Sequence, residues 1–372
     1  MPNKNAIVAL VLRIDPPLDR PTDDRGYTIE LEGDRRARIE PGDRNGGGLA
    51  RILDGLRELR RPVYLELDPA TTRITRLLIP HVTRVAGIKP IDAGVLGVEL
   101  ELSHARHVLR RSVDDAAEIE KVLRDAIRSG APVVVTETDA HEIIDVRPYT
   151  PAPGEELPHF PRPEFPARVP WSIDWFKYLW WRLWCWRCWP WWWFRCLTLK
   201  RAQQVFDAMA ATTCNPLTVP PPCIPFMYPD DGCWGRASEM CRLMINMGLS
   251  PKKVWIQGSL HVSTKNNPNC QVFWGWHVAP TLCVRGPKFF QSQQMVIDPS
   301  LFTTPVSQAT WKGVQGDPGA TLTPSAASIF YLWGNVTDPG YVQTNQVLAN
   351  YRLQLQNRSL GPSGPPPYAN CP

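Results

Sequence analysis

Eight prolines in 23 residues, PYTPAPGEELPHFPRPEFPARVP at 148–170, forbid a continuous core through the middle of this chain. Each proline fixes φ and removes an amide donor, so the stretch predicts an extended, semi-rigid linker with no packed core. A chain of 372 residues has room for two or three domains. Composition changes across the linker as two different modules would require. Residues 1–170 carry 25 Lys/Arg and 28 Asp/Glu, whereas 200–372 carry 12 and 7, and all ten cysteines lie after residue 184. Neither half clusters its basic residues, so no nucleic-acid partner is expected.

Residues 1–147 read as an α+β module containing a duplication. YTIELEGD at 27–34 has a counterpart in GVELELSH at 97–104, and helical patterns follow around Ala50–Arg60 and Asp114–Ser129. Each half closes with a strand, a tight turn and a second strand, at 61–80 and 131–149. His81, His104, His107 and His141 are scattered along it and are expected mostly at the surface, with no catalytic cluster. A binding, targeting or inhibitory role suits this composition better than an enzyme. The N-terminal stretch MPNKNAIVALVLRIDPP has an apolar run of only seven residues, closed by Arg13 and Asp15. That predicts a strand and not a Sec signal peptide. Export by another route, attachment to a membrane, or a cytoplasmic location all remain open.

The segment 171–197 holds ten of the sixteen tryptophans within WSIDWFKYLWWRLWCWRCWPWWWFRC, divided by Pro190 and broken by Arg182, Arg187 and Arg195. No apolar stretch reaches the roughly 20 residues of a spanning helix, but tryptophan with snorkelling arginine suits a membrane surface. Packing of the indoles on protein is the competing reading. Cys185-Trp186-Arg187-Cys188 has no second pair for zinc. Residues 198–356 read as a second α+β domain and 357–372, NRSLGPSGPPPYANCP, as a disordered tail. Cys214/Cys223 and Cys270/Cys283 are candidate disulfides.

Chemistry enters at PDDGCWGRASEMCRLM, 229–244. Asp230, Asp231 and Gly232 are turn and cap residues, and Trp234, Ala237, Met240, Cys241 and Met244 recur at helical spacing, with Gly248 as the stop. Cys233 then opens a helix, where unpaired amides and the macrodipole favour a thiolate. A nucleophile needs a base, and the base needs an orienting group. His277 lies in the apolar strand CQVFWGWHVAPTLCV. Asp298 ends the strand MVIDPSLF, where a carboxylate is costly unless paired. The simplest partner for Asp298 is an imidazole on the neighbouring strand. Cys233, His277 and Asp298 form the candidate triad, with His261 the weaker base candidate. Trp234 and Trp276, flanking nucleophile and base, are candidates to line the substrate pocket; ordinary core packing explains them equally well.

PDDGCWGRASEM, KKVWIQGSL, WGWHVAPTL and VIDPSLF, in that order, resemble blocks of the bacterial protein-glutaminases, over about Phe206 to Tyr331. The resemblance implies a papain/transglutaminase-like α+β fold, a nucleophile helix packed on antiparallel strands. It also implies deamidation of glutamine side chains in proteins or peptides, with Cys233 as nucleophile, His277 as base and acid, and Asp298 as orienting group. It calls for no cofactor and no metal. Acyl transfer to an amine, or peptide hydrolysis, needs the same triad, and a membrane-associated scaffold is the non-enzymatic alternative. A mixed-charge adaptor, a Trp/Arg segment and a protein-modifying enzyme together suit a toxin or effector.

Overall fold

The computed structural model describes residues 6–18, 26–101, 103–113, 115–155, 157–160, 196–286, 288 and 291–371. All but the last two residues of the Trp/Arg-rich segment, including its CxxC, lie outside the described residues.

The first half of the N-terminal region is built on a long central strand, β1 (Ala6–Asp15), which pairs antiparallel with β2 (Tyr27–Leu31) and β4 (Pro62–Leu67). With β3 (Arg35–Ile39) and β5 (Ile74–Leu78) the sheet order is β3-β2-β1-β4-β5. Helix α1 (Gly46–Glu58) lays Ala50, Ile52, Leu53 and Leu56 on this sheet, all fully buried. The second half contains β6 (His81–Thr83), β7 (Val85–Asp92), β8 (Val95–Leu100), β9 (His107–Arg110), α2 (Ala116–Ser129), β10 (Val133–Glu137) and β11 (Ile143–Pro148). Its strands pair in the orders β7-β8-β9 and β11-β10-β6. Ile119, Leu123 and Ala126 of α2 fall on one face and are buried, and Gly130 ends the helix at φ 69°. The periodicity of both helices and both terminal hairpins was therefore readable.

The C-terminal domain begins with α3 (Leu199–Ala210), capped by the Thr198 hydroxyl, which accepts from the Arg201 amide at 3.2 Å. Helix α4 (Cys233–Asn246) follows, then an antiparallel sheet ordered β15-β14-β13-β12-β16. Its strands are β12 (Lys252–Ser263), β13 (Gln271–Arg285), β14 (Ser292–Val296), β15 (Val306–Ser307) and β16 (Thr321–Ala326). A short α5 (Gln308–Gly313), the hairpin β17 (Ile329–Tyr331) and β18 (Val336–Thr337), and the long α6 (Val342–Leu360) complete it. Trp255, Trp274 and Trp311 are fully buried here. Each removes roughly 200 Å² from water, about 5 kcal/mol gross at about 25 cal/mol per Å². A one-residue slip of β12 or β13 would forfeit that term for the tryptophan it carries, so it fixes their register.

The two halves of the chain are docked, mainly through α6. An added Cβ at Gly48 or Gly55 of α1 would lie 2.5 or 2.9 Å from the Cδ atoms of Leu360 or Leu353, so the leucine ends pack directly over glycine backbone. Asn45 donates to the Leu360 carbonyl (2.7 Å), Asn357 to Leu77 (3.1 Å) and Gln354 to Ile79 (2.9 Å). The linker is also less free than its composition suggests. Phe160, 3% exposed, stacks on Tyr331 at 4.6 Å.

Three expectations need correction. Residues 357–371 are ordered, because Cys371 forms a disulfide with Cys270 and the Tyr368 amide donates to the Lys265 carbonyl at 2.7 Å. Cys270 does not pair with Cys283, since the two sit at opposite ends of β13, roughly 40 Å apart at about 3.3 Å per residue. Cys283 pairs instead with Cys196, and the Cys214–Cys223 bridge is as expected. The histidines of the N-terminal region are not surface residues: His81, His104, His107 and His141 are all buried. Three of them surround the Glu137 carboxylate, which accepts from His81 (3.1 Å), His141 (2.9 Å) and His107. Burial alone would lower the His141 imidazole, but Glu137 outweighs it and lifts the pKa to about 9.

Opening the Cys270–Cys371 bridge with Cys371→Ser should cost roughly 2–4 kcal/mol, since it closes a long loop. Urea unfolding under non-reducing conditions measures this. An unchanged midpoint would show that the tail is held by its packing alone.

Candidate active site

The reversal at 230–232 positions Cys233. Gly232 has φ 78°, and a Cβ there would sit 2.3 Å from the Tyr351 ring, so both backbone and space demand glycine. Asp230 is fully buried and accepts two bonds from Arg358 of α6, at 2.7 and 2.9 Å, and one from Asn267. Arg358 also reaches Asp139 of the N-terminal region at 2.8 Å. Arg236, one turn into α4, donates to the carbonyls of Tyr228 (2.9 Å) and Asp231, locking the turn to the helix. Cys233 is thus the first residue of α4, as expected, and is 1% exposed.

His277 projects from β13 between two indoles, stacked on Trp274 at 4.5 Å and on Trp311 at 5.5 Å. Its Nε2 lies 2.9 Å from Oδ2 of Asp298, and its Nδ1 is buried without a hydrogen-bond partner. Asp298 also accepts from Nε1 of Trp311 (2.9 Å) and the Ser300 amide (3.2 Å). Burial would raise this carboxyl, but His277 and then Trp311 outweigh it and hold it below the usual carboxylate range. The sulfur of Cys233 and a ring nitrogen of His277 lie within 4.8 Å of each other. The three residues selected from sequence are therefore neighbours.

A fourth group shares the site. His104, from the loop after β8, sits with Nδ1 3.6 Å from the Cys233 sulfur and 2.7 Å from Oδ1 of Asp231. Its ring packs against Trp234, Trp274 and Trp276 at 5.9, 5.4 and 5.2 Å. Both candidate pocket residues, Trp234 and Trp276, are buried, and each packs its ring against His104. The covering segment is held by backbone pairing. Gly275 donates to the His104 carbonyl (2.9 Å), Arg106 donates to Phe273 (3.1 Å), and Ala105 bridges Trp274 antiparallel. Residues 103–106 thus run beside β13, joined to it by one antiparallel bridge. His261 is exposed, bonded to Gln271 and stacked on Phe273, away from the sulfur.

Burial under this segment changes the electrostatics expected of Cys233. Loss of water pushes the thiol well up; Arg236 opposes this without overcoming it. The helix start favours a thiolate only where the sulfur is otherwise solvated, and here it is not. His104 is pushed down to about 4 by burial, against the pull of Asp231, and is neutral near pH 7. Among the described residues, two groups bring three metal-ligating side chains together: His104, Cys233 and His277, and His107, Glu137 and His141. Sequence patterning had no means of finding His104 or Trp311, which reach the site from distant parts of the chain.

Asp298→Asn should destabilise the fold by roughly 2 kcal/mol at neutral pH, because it removes a buried carboxylate that accepts from His277 and Trp311. The folded carboxyl is depressed, so its contribution is complete above the ordinary carboxylate value of 3.8 and is lost as pH falls through the lower folded value. Urea unfolding of both proteins at pH 7 and at acid pH should show the gap narrowing. A gap independent of pH would contradict the pairing.

Residues 202–315 match the model of a family described as Glutaminase. The crystal structure of a pro-protein-glutaminase is 22% identical, with 79% of this chain and 99% of that chain covered at a TM-score of 0.49. The crystal structure of a protein-glutaminase is 26% identical, covering 48% and 97% at 0.37. The NMR structure of protein-glutaminase from Chryseobacterium proteolyticum is 27% identical, covering 48% and 97% at 0.39. No curated protein matches the chain.

Proposed function

We propose, for a chain whose residues 202–315 belong to the glutaminase family and make it an enzyme acting on glutamine amides of proteins, that Cys233, His277 and Asp298 carry the reaction through a thioester. The observation that supports this is the buried imidazole of His277, tied through Nε2 to Asp298, with Nδ1 unpartnered beside the Cys233 sulfur. His277 takes the thiol proton at Nδ1, and the sulfur attacks the glutamine Cδ. The oxyanion is met by amides of the first turn of α4, which have no intrahelical acceptor. The imidazolium protonates the departing ammonia, leaving a γ-glutamyl thioester. Water, deprotonated by the same nitrogen, releases glutamate and returns the thiol. Asp298, fixed by Trp311, holds the tautomer and stabilises the imidazolium. A nucleophile helix lying on antiparallel strands is also the arrangement of papain-like and transglutaminase-like enzymes.

The N-terminal region, which we read as two copies of one strand–helix–hairpin unit, keeps this enzyme latent. Residues 103–106 occupy the edge of β13 and the indole-lined slot, so an extended substrate segment can enter only after they leave. The mixed-charge module, the linker and the Trp/Arg segment suit a delivered effector, with a membrane surface as the partner of residues 171–197.

Arg106→Pro removes the amide that donates to Phe273 and should raise both glutamine turnover and iodoacetamide labelling of Cys233 relative to the unaltered chain. Mass spectrometry of a glutamine-bearing protein should then show gains of about one dalton per site, with ammonia released, no amine incorporated and no backbone cleaved. Cys233→Ala in the same background should lower the rate by roughly 10⁴-fold or more. Cleavage products or amine adducts would favour the alternative chemistries; equal labelling with and without Arg106→Pro would remove the latency.

A further inference from the structure

We propose that the covered site binds one zinc ion through the sulfur of Cys233 and one ring nitrogen each of His104 and His277, tying the N-terminal module to the catalytic pair. The proposal shares Cys233 and His277 with the reading above but needs only their geometry. One donor atom from each of the three lies within 4.8 Å of the other two. The sulfur stands 3.6 Å from Nδ1 of His104. That is the edge of a tetrahedron with Zn–S of about 2.3 Å and Zn–N of about 2.0 Å. Thiolate with imidazoles is a donor set for a borderline-soft ion and offers nothing to calcium or magnesium.

The surroundings are those of a ligand site. All three side chains are at least nine-tenths buried, and Nδ1 of His277, the ring nitrogen not tied to Asp298, is buried with no hydrogen-bond partner. An orphaned buried nitrogen needs an explanation, and an ion between it and the sulfur supplies one. Its other nitrogen is held by Asp298, the carboxylate–histidine arrangement that orients imidazole toward zinc. If the ion draws Nδ1 of His104 from Asp231, that carboxylate keeps the amides of Gly232 (2.9 Å) and His104 (3.2 Å). Three protein ligands leave one position for water. The second histidine group differs: Glu137 already takes bonds from His81, His107 and His141, and Nε2 of His107 is bonded to Ser103. That cluster is satisfied without an ion.

The step balances simply. The Cys233 S–H loses a proton to solvent, a Zn–S bond forms, and no electron moves. Because His104 belongs to the covering segment, its departure removes one of three ligands, and the ion is released as the site opens. Zinc would therefore latch the closed enzyme and have no part in turnover.

The test uses the full chain, loaded with zinc both in the growth medium and by long equilibration of purified protein, then desalted and assayed by elemental analysis. One zinc per chain is expected. His104→Ala and Cys233→Ala should each weaken retention by about 100-fold or more, since even loss of an outer-shell partner costs roughly 10–100-fold. Cys241→Ala and His261→Ala, outside the cluster, should keep it. Cobalt loaded into the unaltered chain should show a thiolate-to-metal charge-transfer band, which needs no variant to fold. Protein without stoichiometric metal by either route, or with metal but no thiolate band, overturns the proposal. So does retention in both ligand variants. Glutamine turnover by a chain that binds no zinc would sink the latch alone; zinc binding without turnover, once the covering segment is displaced, would sink the deamidase alone.

Discussion

Buried carboxylates, each obliged to find a partner, hold this molecule together. Moving a charge out of water costs several kcal/mol, so Asp230, Asp231 and Asp298 are tolerable only where a donor meets them. Asp230 takes Arg358 and thereby joins the start of α4 to the end of α6. Asp231 takes His104 and joins the same turn to the N-terminal region. Asp298 takes His277 and Trp311 and so joins β13, the turn after β14, and α5. Together these pairings gather the start of α4, the end of α6, the segment carrying His104, β13, the turn after β14 and α5 around one sulfur. None of them is local in sequence, so the arrangement is a product of tertiary packing.

Two influences compete at that sulfur. The start of α4 and Arg236 favour a thiolate, while complete burial opposes it. Under residues 103–106 burial wins and the thiol keeps its proton. Water admitted to the slot would weaken the opposing term and leave the helix and Arg236 in place. On the latency proposed above, uncovering and activation would then be one event. The same burial brings the sulfur and two imidazoles together as the donor set on which the zinc proposal rests.

Much of this was legible in the residues themselves. Asp-Asp-Gly-Cys before a helical apolar stripe placed Cys233 at a helix start, because turn and cap residues ahead of apolar residues at helical spacing mark where a helix begins. The pairing of His277 with Asp298 was readable because a histidine inside an apolar strand and a carboxylate just past the end of another must each find a partner. The histidines of the N-terminal region were misread for the opposite reason: their surroundings are mixed-charge, so local composition suggests solvent. Their burial comes from Glu137 and Asp231, partners no periodicity connects to them. The order of residues 357–371 was likewise hidden, since a proline- and glycine-rich segment looks free until one disulfide fixes its end. Arg358 gave no sign either, being one arginine on a mostly polar helix.

The most direct measurement is capture of the acyl-enzyme. A glutamine peptide mixed with the uncovered enzyme, quenched in acid and mapped by mass spectrometry, should yield the enzyme mass plus the peptide less one ammonia, located on Cys233. Turnover without that adduct, persisting undiminished when Cys233 is replaced by alanine, would contradict a sulfur nucleophile at this position.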